Sequence, residues 1–289
     1  MTALFAAIRA AHFLSLMAAF GVAAFMILLG RRQMPGPPES WTRVFFPAAA
    51  AIAFVTAILW LVLAAARMTG DPAQWNWAAI KLVASATEFG RIAVWRILGL
   101  GLLLAVCLTP ARRRMGAVAG LSALLLASLG LTSHAAAEAG AMPLLRAAND
   151  AMHLLTAGFW VGGLAVLAIL IRRHHARPEY LAAPFHLFSR WGTPAVAVLV
   201  LSGIANAATI LPVRSISTSN EYVDILGAKI ALALLMIVLA VVNRLELVPA
   251  LGNANPDTAG KLSRSVLAEI ILGITVIGIV GYLGQMAPG

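Results

Sequence analysis

Three histidines and one aspartate are the residues with the clearest capacity for chemistry. His12, His134 and His153 come from three different hydrophobic segments, and Asp150 lies three residues before His153. Residues three apart share a face of a helix, so Asp150 and His153 are expected to point the same way. Imidazole binds copper, zinc or haem iron, and a carboxylate can bind the metal or accept the second ring N–H of a histidine. We therefore predict a metal site formed by these four residues.

Each of these residues also has a purely structural interpretation. Taken alone, His12 is equally well explained as a helix-packing histidine bonded to a serine or a carbonyl. Asp150 is equally well explained as an N-cap or first-turn acid of its helix. His12 is also expected about one to two helical turns deeper than His153. The other histidines share one arginine-rich loop and are expected to be solvated: His174, His175 and His186.

Four further side chains are predicted to support the site. Trp160 continues the face of the Asp150 helix inward, and Met152 is a candidate thioether ligand. Lys229 either extends to the membrane interface or borders the site as a cation. Asn206 is predicted to hydrogen-bond to a neighbouring helix.

Three polar residues lie deeper in hydrophobic segments. Arg96 has the same two interpretations as Lys229. Glu269 is a candidate proton or ion relay, and Asn243 a candidate hydrogen-bonding contact between helices.

Membrane-spanning helices must position these residues. The chain has 289 residues, of which 61% are hydrophobic and 11% are charged, against about 25% charged in soluble domains. The net charge of +10 does not indicate nucleic-acid binding, because excess lysine and arginine marks the cytoplasmic loops of membrane proteins. Basic segments interleaved with aromatic residues are also lacking. The composition predicts an all-α, polytopic bundle in a lipid bilayer.

Eight hydrophobic runs reach the length of a membrane span. They form one integral membrane domain over residues 1–289. An amphipathic stretch at about 73–88 is predicted to lie on the membrane surface. The predicted spans are roughly 4–29, 46–66, 91–109, 115–133, 149–171, 190–211, 225–248 and 264–285.

The charges of the loops predict the orientation. Most lysines and arginines fall on one side, including the runs at 112–114 and 172–173. That side is expected to be cytoplasmic, which places both termini in the periplasm and the predicted site in the outer leaflet. Gly162 and Gly163 are expected to let a neighbouring helix approach closely. Because the sequence has no catalytic motif such as GxSxG, HExxH or a P-loop, we expect a protein that is not an enzyme.

Several motifs in fixed order carry a family resemblance. They are His12, Ser133-His134-Ala135, Asp150-xx-His153 with Trp160-x-Gly162-Gly163, Phe188-Ser189-Arg190, Ser202-Gly203-xx-Asn206-Ala207, Tyr222-xxx-Leu226-xx-Lys229, and Asn243-Arg244 with Pro249. Together they resemble the CopD copper-resistance family of bacterial inner-membrane proteins. The resemblance covers most of the chain and is densest from about 149 to 250.

The resemblance implies copper transport or homeostasis across the bacterial inner membrane. Copper would be accepted at the periplasm-facing histidines and imported, with a separate periplasmic CopC-type carrier as a possible partner. Two alternatives stay open. The same histidines could ligate haem b in a membrane cytochrome, or they could be interhelical contacts in a structural module.

Overall fold

The computed structural model describes residues 2–70, 76–109, 114–132, 143–174, 177, 179–210, 221–251 and 256–286. Over these residues the chain forms nine α-helices and no strand. The helix Arg114–Ala127 ends in a 3₁₀ turn at Ser128–Thr132, and the helix Glu221–Val242 ends in a π turn at Asn243–Leu247 followed by Val248–Ala250. The helices are α1 (Thr2–Arg31), α2 (Glu39–Met68), α3 (Trp77–Ala86), α4 (Glu88–Leu108), α5 (Arg114–Ala127), α6 (Pro143–His174), α7 (Glu179–Ile210), α8 (Glu221–Val242) and α9 (Pro256–Leu283).

Eight of the helices are long and apolar enough to cross a membrane, which confirms the predicted number. Several are longer than their hydrophobic runs. The helix α6 has 32 residues, or roughly 48 Å, whereas the hydrocarbon core is about 30 Å thick. The apolar run is predicted at 149–171, but the helix continues back to Pro143 through a segment that contains Arg146.

The short helix α3 confirms that the amphipathic stretch is helical. It runs from Trp77 to Ala86, and the Asn76 side chain caps its first turn by accepting a hydrogen bond from the Ala78 N–H at 2.9 Å. It packs against α2 and α4. Its position at the membrane surface stays a prediction.

The core of the bundle is the pair formed by α1 and α6. The helix α1 also packs against α2, α5 and α9, and α6 also packs against α5, α7 and α9. A methyl group on Gly21 would overlap the carbonyl oxygen of Gly158, and one on Gly162 would lie 2.5 Å from the Gly21 Cα. The prediction of close approach is confirmed for Gly162 at α1. It is also confirmed for Gly163, which lies against the Phe188 ring of α7.

These contacts fix the register between α1 and α6. Met17 lies against Gly158, and Gly21 lies against Gly162 one turn further along both helices, so the helices run parallel. His12 lies five residues before Met17 in α1, and His153 lies five residues before Gly158 in α6. The two histidines therefore lie at the same level along the bundle axis.

Apolar side chains cover the outside of the bundle. Trp95 is 74% exposed and Leu124 is 70% exposed, which is the pattern of helices that face lipid chains rather than water. Cys107 is free and buried in the core. The chain is therefore a multi-pass membrane protein.

Candidate functional site

His153 is held in one orientation by the neighbouring helix α7. Its Nδ1 lies 3.0 Å from the Ser202 Oγ. The Ser202 hydroxyl donates to backbone carbonyls of its own helix, Val198 O at 2.7 Å and Leu199 O at 3.1 Å. Since carbonyls only accept, the serine hydrogen is committed, and Nδ1 must donate its own hydrogen to Oγ. The neutral ring then carries a lone pair on Nε2, which is the metal-binding form of imidazole.

The same face of α6 makes a second contact with α7. The Asn149 Nδ2 donates to the carbonyl of Ser202 at 3.0 Å and to the Asn206 Oδ1 at 2.5 Å. The prediction that Asn206 bonds between helices is confirmed. Gly203 lies under the His153 ring, where an added methyl would be 3.3 Å from the ring Cε1. These contacts fix the position of the imidazole between the two helices.

His12 faces α2 and is fully buried. Its Nδ1 lies 3.0 Å from the carbonyl of Ala53 and 3.1 Å from the Thr56 Oγ1. A carbonyl only accepts, so Nδ1 carries the hydrogen and Nε2 carries a lone pair. Nε2 has no hydrogen-bond partner among the described residues. Bonding Nδ1 to a carbonyl is the usual way in which a protein orients a metal-binding histidine, although it also fits the helix-packing interpretation.

A small cavity lies beside His12. Trp60 and Arg96 line it, together with apolar residues of α2 and α4. Its volume of about 10 Å³ suits about one water molecule. The Trp60 ring meets the imidazole edge to face, with 5.7 Å between the ring centroids.

Arg96 does not extend to the membrane interface. It is 4% exposed, and its guanidinium donates to the end of α5, at Ser128 Oγ (3.1 Å), Ser128 O (2.9 Å) and Thr132 Oγ1 (3.2 Å). Of the two interpretations of this residue, the structure therefore supports the cation that borders a histidine. Its charge lies within electrostatic range of His12.

Lys229 has the corresponding position next to His153. The half-buried Lys229 of α8 lies within electrostatic range of both His153 and Asp150. Asp150 lies seven residues after Pro143, the first residue of α6. The N-cap or first-turn interpretation of Asp150 is therefore wrong, because the helix begins about two turns earlier than its apolar run.

Of the three histidines predicted as ligands, the structure describes His12 and His153, which lie at the same level but contact different helices. Each lies ten residues after the first residue of its helix, so the expected difference in depth is wrong. His12 bonds to α2, whereas His153 bonds to α7. The described residues contain no group of three or more His, Cys, Asp or Glu side chains that could hold a metal ion. His134 lies outside the described residues, so the four-residue site stays a prediction.

Met152 points away from this region, since it is 52% exposed. Trp160, by contrast, lies inside the bundle. It follows His153 by seven residues, which is two helical turns or roughly 10 Å along the same face of α6.

A buried acid meets Trp160 near the middle of the bundle. The Trp160 Nε1 donates to the Glu269 Oε2 at 3.2 Å, and the Asn243 Nδ2 donates to the Glu269 Oε1 at 2.6 Å. Glu269 is 1% exposed. We call these three residues the Glu269 cluster. The prediction that Asn243 bonds between helices is confirmed, but sequence reasoning did not join Glu269 to Trp160. The sequence held no signal for this contact, because periodicity does not show which helix covers a given face.

Two models of protein families match the chain. The model described as the N-terminal domain of copper resistance protein D-like proteins matches residues 1–144. The model described as copper resistance protein D matches residues 182–283. Between them these two matches take in most of the sequence, including His12, Ser202, Lys229 and Glu269.

Individual relatives agree with these matches. The chain is 28% identical to copper resistance protein D of Pseudomonas syringae pv. tomato over 98% of this chain and 96% of that protein. It is 28% identical to the inner membrane protein YebZ of Escherichia coli over 70% of each. It is 30% identical to the copper transport protein CutJ of Bacillus subtilis over 44% of this chain and 23% of that protein. No solved structure matches the chain.

Proposed function

Because the chain belongs to the copper resistance protein D family and so takes part in copper handling, we propose that it imports copper across the bacterial inner membrane. One relative is named for copper transport and another for the inner membrane. The proposed role is that of a transporter, since the described polar residues include potential ligands and relays for ions.

The proposal depends on one observation: the imidazole rings of His12 and His153 have the same hydrogen-bonding arrangement. Both rings have Nδ1 bonded, to Ala53 O and to Ser202 Oγ, and both therefore present Nε2 lone pairs at one level of the α1–α6 pair. Imidazole nitrogen is a good ligand for copper. Two such groups at one depth provide two imidazole nitrogens for copper on the periplasmic half of the bundle, and His134 is their third candidate partner.

The charges around the histidines favour brief binding. Arg96 acts on His12 and Lys229 acts on His153, and a cation near a ligand opposes the arrival of a second cation. Asp150 offsets the charge of Lys229. A transport site must bind its ion well enough to admit it and weakly enough to release it. The pairing of each histidine with a cation suits passage of copper better than storage.

The proposed orientation follows from the loop charges. The arginine-rich ends of α1 and α6, at Arg31 and at Arg172 and Arg173, lie on the cytoplasmic side. Both termini and the two histidines then lie toward the periplasm. A periplasmic CopC-type carrier would deliver copper to this side.

The haem alternative has less room in the structure. The cavity beside His12 has a volume of about 10 Å³, whereas pockets for drug-sized ligands measure about 300–1,000 Å³. The packing next to His12 therefore favours an ion over a porphyrin.

Copper content of the purified protein tests this proposal. Protein in detergent is loaded with copper(I), washed, and measured by elemental analysis and visible absorption. We expect His153→Ala and His12→Ala each to lose bound copper, because each removes an imidazole ligand. His174→Ala, at the other end of α6, is the matched control and should keep it. Unchanged copper in both folded variants would contradict the histidine site, and a Soret band that disappears in them would favour haem b.

A further inference from the structure

The Glu269 cluster is a built polar site that copper binding at the histidines does not explain. Glu269 lies 13 residues after the first residue of α9 and 14 before its last, so it lies near the middle of the span. The side chain is 1% exposed. An ionised carboxylate removed from water is costly unless a cation pairs with it. A residue retained at this depth therefore calls for a function or a neutral state.

No cation balances this carboxyl group among the residues that the structure describes. The helices α1, α6 and α8 pack against α9. The groups that reach the carboxyl are Trp160 from α6 and Asn243 from α8, and neither is charged or titratable. The charged residues nearest in sequence are all exposed: Arg244, Glu246 and Arg264.

The hydrogen bonds of Asn243 indicate where a proton would reside. Its Nδ2 donates to Glu269, but its Oδ1 is buried and has no partner among the described residues. A buried amide oxygen without a hydrogen-bond donor is energetically unfavourable. A proton on Glu269 would supply that donor, since a carboxylic acid and a primary amide can exchange two hydrogen bonds. The ionised form has no hydrogen to offer Oδ1, whereas the protonated form carries the hydrogen that Oδ1 lacks.

Polar groups extend from the cluster in both directions. Toward the N-terminal end of α6, Trp160 leads back two turns to His153 on the same face. Toward the N-terminal end of α9, Ser265 lies one turn from Glu269, and its Oγ is buried without a partner in the described part of the chain. The backbone at Asn243 also departs from the α-helix into a π turn, a feature that is frequent at functional sites.

We propose that Glu269 carries one proton in each transport cycle and so couples copper movement to proton movement. This inference rests on the proposed function, because it assigns a second role to the same pathway. Copper occupies the histidines, while the proton occupies the Glu269 Oε2, because Oε1 already accepts the hydrogen of Asn243 Nδ2. The proton is taken up by the carboxylate and given back to water, so charge and atoms balance without any further reactant.

The test uses purified full-length protein in liposomes, radioactive copper(I) and an imposed pH difference, with the membrane potential clamped to zero. If one proton accompanies each copper ion, the steady-state ratio of internal to external copper changes about tenfold for each unit of pH difference. We expect this dependence in the wild type and in Glu246→Gln, the matched exposed control on α8. We expect no dependence in Glu269→Gln, which cannot exchange a proton.

A second measurement separates the proton role from a structural one. Exchange of radioactive copper for unlabelled copper across the liposome membrane needs no net proton movement. Glu269→Gln should therefore retain exchange and copper binding while its accumulation no longer responds to pH.

Three results would overturn the inference: a copper ratio in the wild type that ignores the pH difference, a pH response in Glu269→Gln like that of the wild type, or loss of exchange together with accumulation in Glu269→Gln. Failure of the proposed function is distinct, because wild-type liposomes would then show neither exchange nor uptake.

Discussion

Replacement of Gly162 by alanine tests the packing that brings His12 and His153 to one level. The new methyl carbon would lie 2.5 Å from the Gly21 Cα and closer still to the Gly21 carbonyl carbon and the Val22 nitrogen. Ordinary carbon–carbon contacts lie at about 3.5–4.0 Å, so α1 and α6 must separate by about 1 Å or more. The atoms that obstruct the methyl belong to the backbone and cannot rotate away.

The expected loss follows from this geometry. Overpacking a well-packed core costs about 1–3 kcal/mol, and a clash with rigid backbone belongs at the upper end. We therefore expect Gly162→Ala to lower the free energy of unfolding by about 3 kcal/mol. Gly227→Ala is the matched control, because no atom lies within 4 Å of its added methyl. There the loss of glycine flexibility should stabilise the helix by up to about 1 kcal/mol.

The assay is reversible unfolding of the purified protein in mixed detergent, followed by far-UV circular dichroism. Gly21→Ala should destabilise to a similar degree, because its methyl would overlap the carbonyl of Gly158. The double variant Gly21→Ala/Gly162→Ala should lose less than the sum of the two, since helices that are already apart accept the second methyl more easily. Equal stability of Gly162→Ala and Gly227→Ala would refute the α1–α6 contact and the alignment of the histidines derived from it.

Three further predictions follow from the site and the orientation. Ser202→Ala removes the acceptor that orients His153 and should weaken copper binding by about 10–100-fold, as measured by competition with a copper(I) chelator; unchanged affinity would mean that the serine does not set the ring. Lys229→Met should impair copper uptake more than Lys229→Arg, because only arginine keeps the charge near Asp150; full activity in both would reduce Lys229 to an interfacial anchor. A reporter enzyme fused to the C-terminus should be active only if it works in the periplasm, and activity confined to a cytoplasmic reporter would reverse the orientation.

The number and nature of the spans could be predicted because the bilayer leaves few solutions. Backbone groups must be bonded within each helix, so apolar runs of about 20 residues identify helices without knowledge of their neighbours. The ends of the helices were less predictable. The segment from Pro143 to Asn149 continues α6 ahead of the predicted apolar run, which moved Asp150 from the first turn into the helix interior.

The partners of the site residues could not be predicted from the sequence. Periodicity shows which residues share a face of a helix, but it does not show which helix covers that face. His12 and His153 are both near the start of a span, yet the first bonds to α2 and the second to α7. Trp160 and Glu269 are 109 residues apart in the chain, and their contact depends on how α6 and α9 pack.

Small residues and amides were more predictable. Glycines such as Gly162 and Gly163 within an apolar membrane helix indicate close approach of a neighbouring helix. Both residues are closely packed against another helix. Asn206 and Asn243 lie inside spans, where an amide needs a partner, and both bond across helices. In these cases the bilayer itself makes the unbonded alternative costly, so residue type alone indicates the role.

Uptake of copper by oriented membrane vesicles tests the central claim most directly. Vesicles that expose the periplasmic face are given radioactive copper(I), and vesicles of the opposite orientation serve as the comparison. We predict uptake by the wild type from the periplasmic face, background uptake by His153→Ala, and wild-type uptake by the control His174→Ala at the other end of α6. Copper that enters only from the cytoplasmic face, or that enters equally well in His153→Ala, would contradict import through the histidine site.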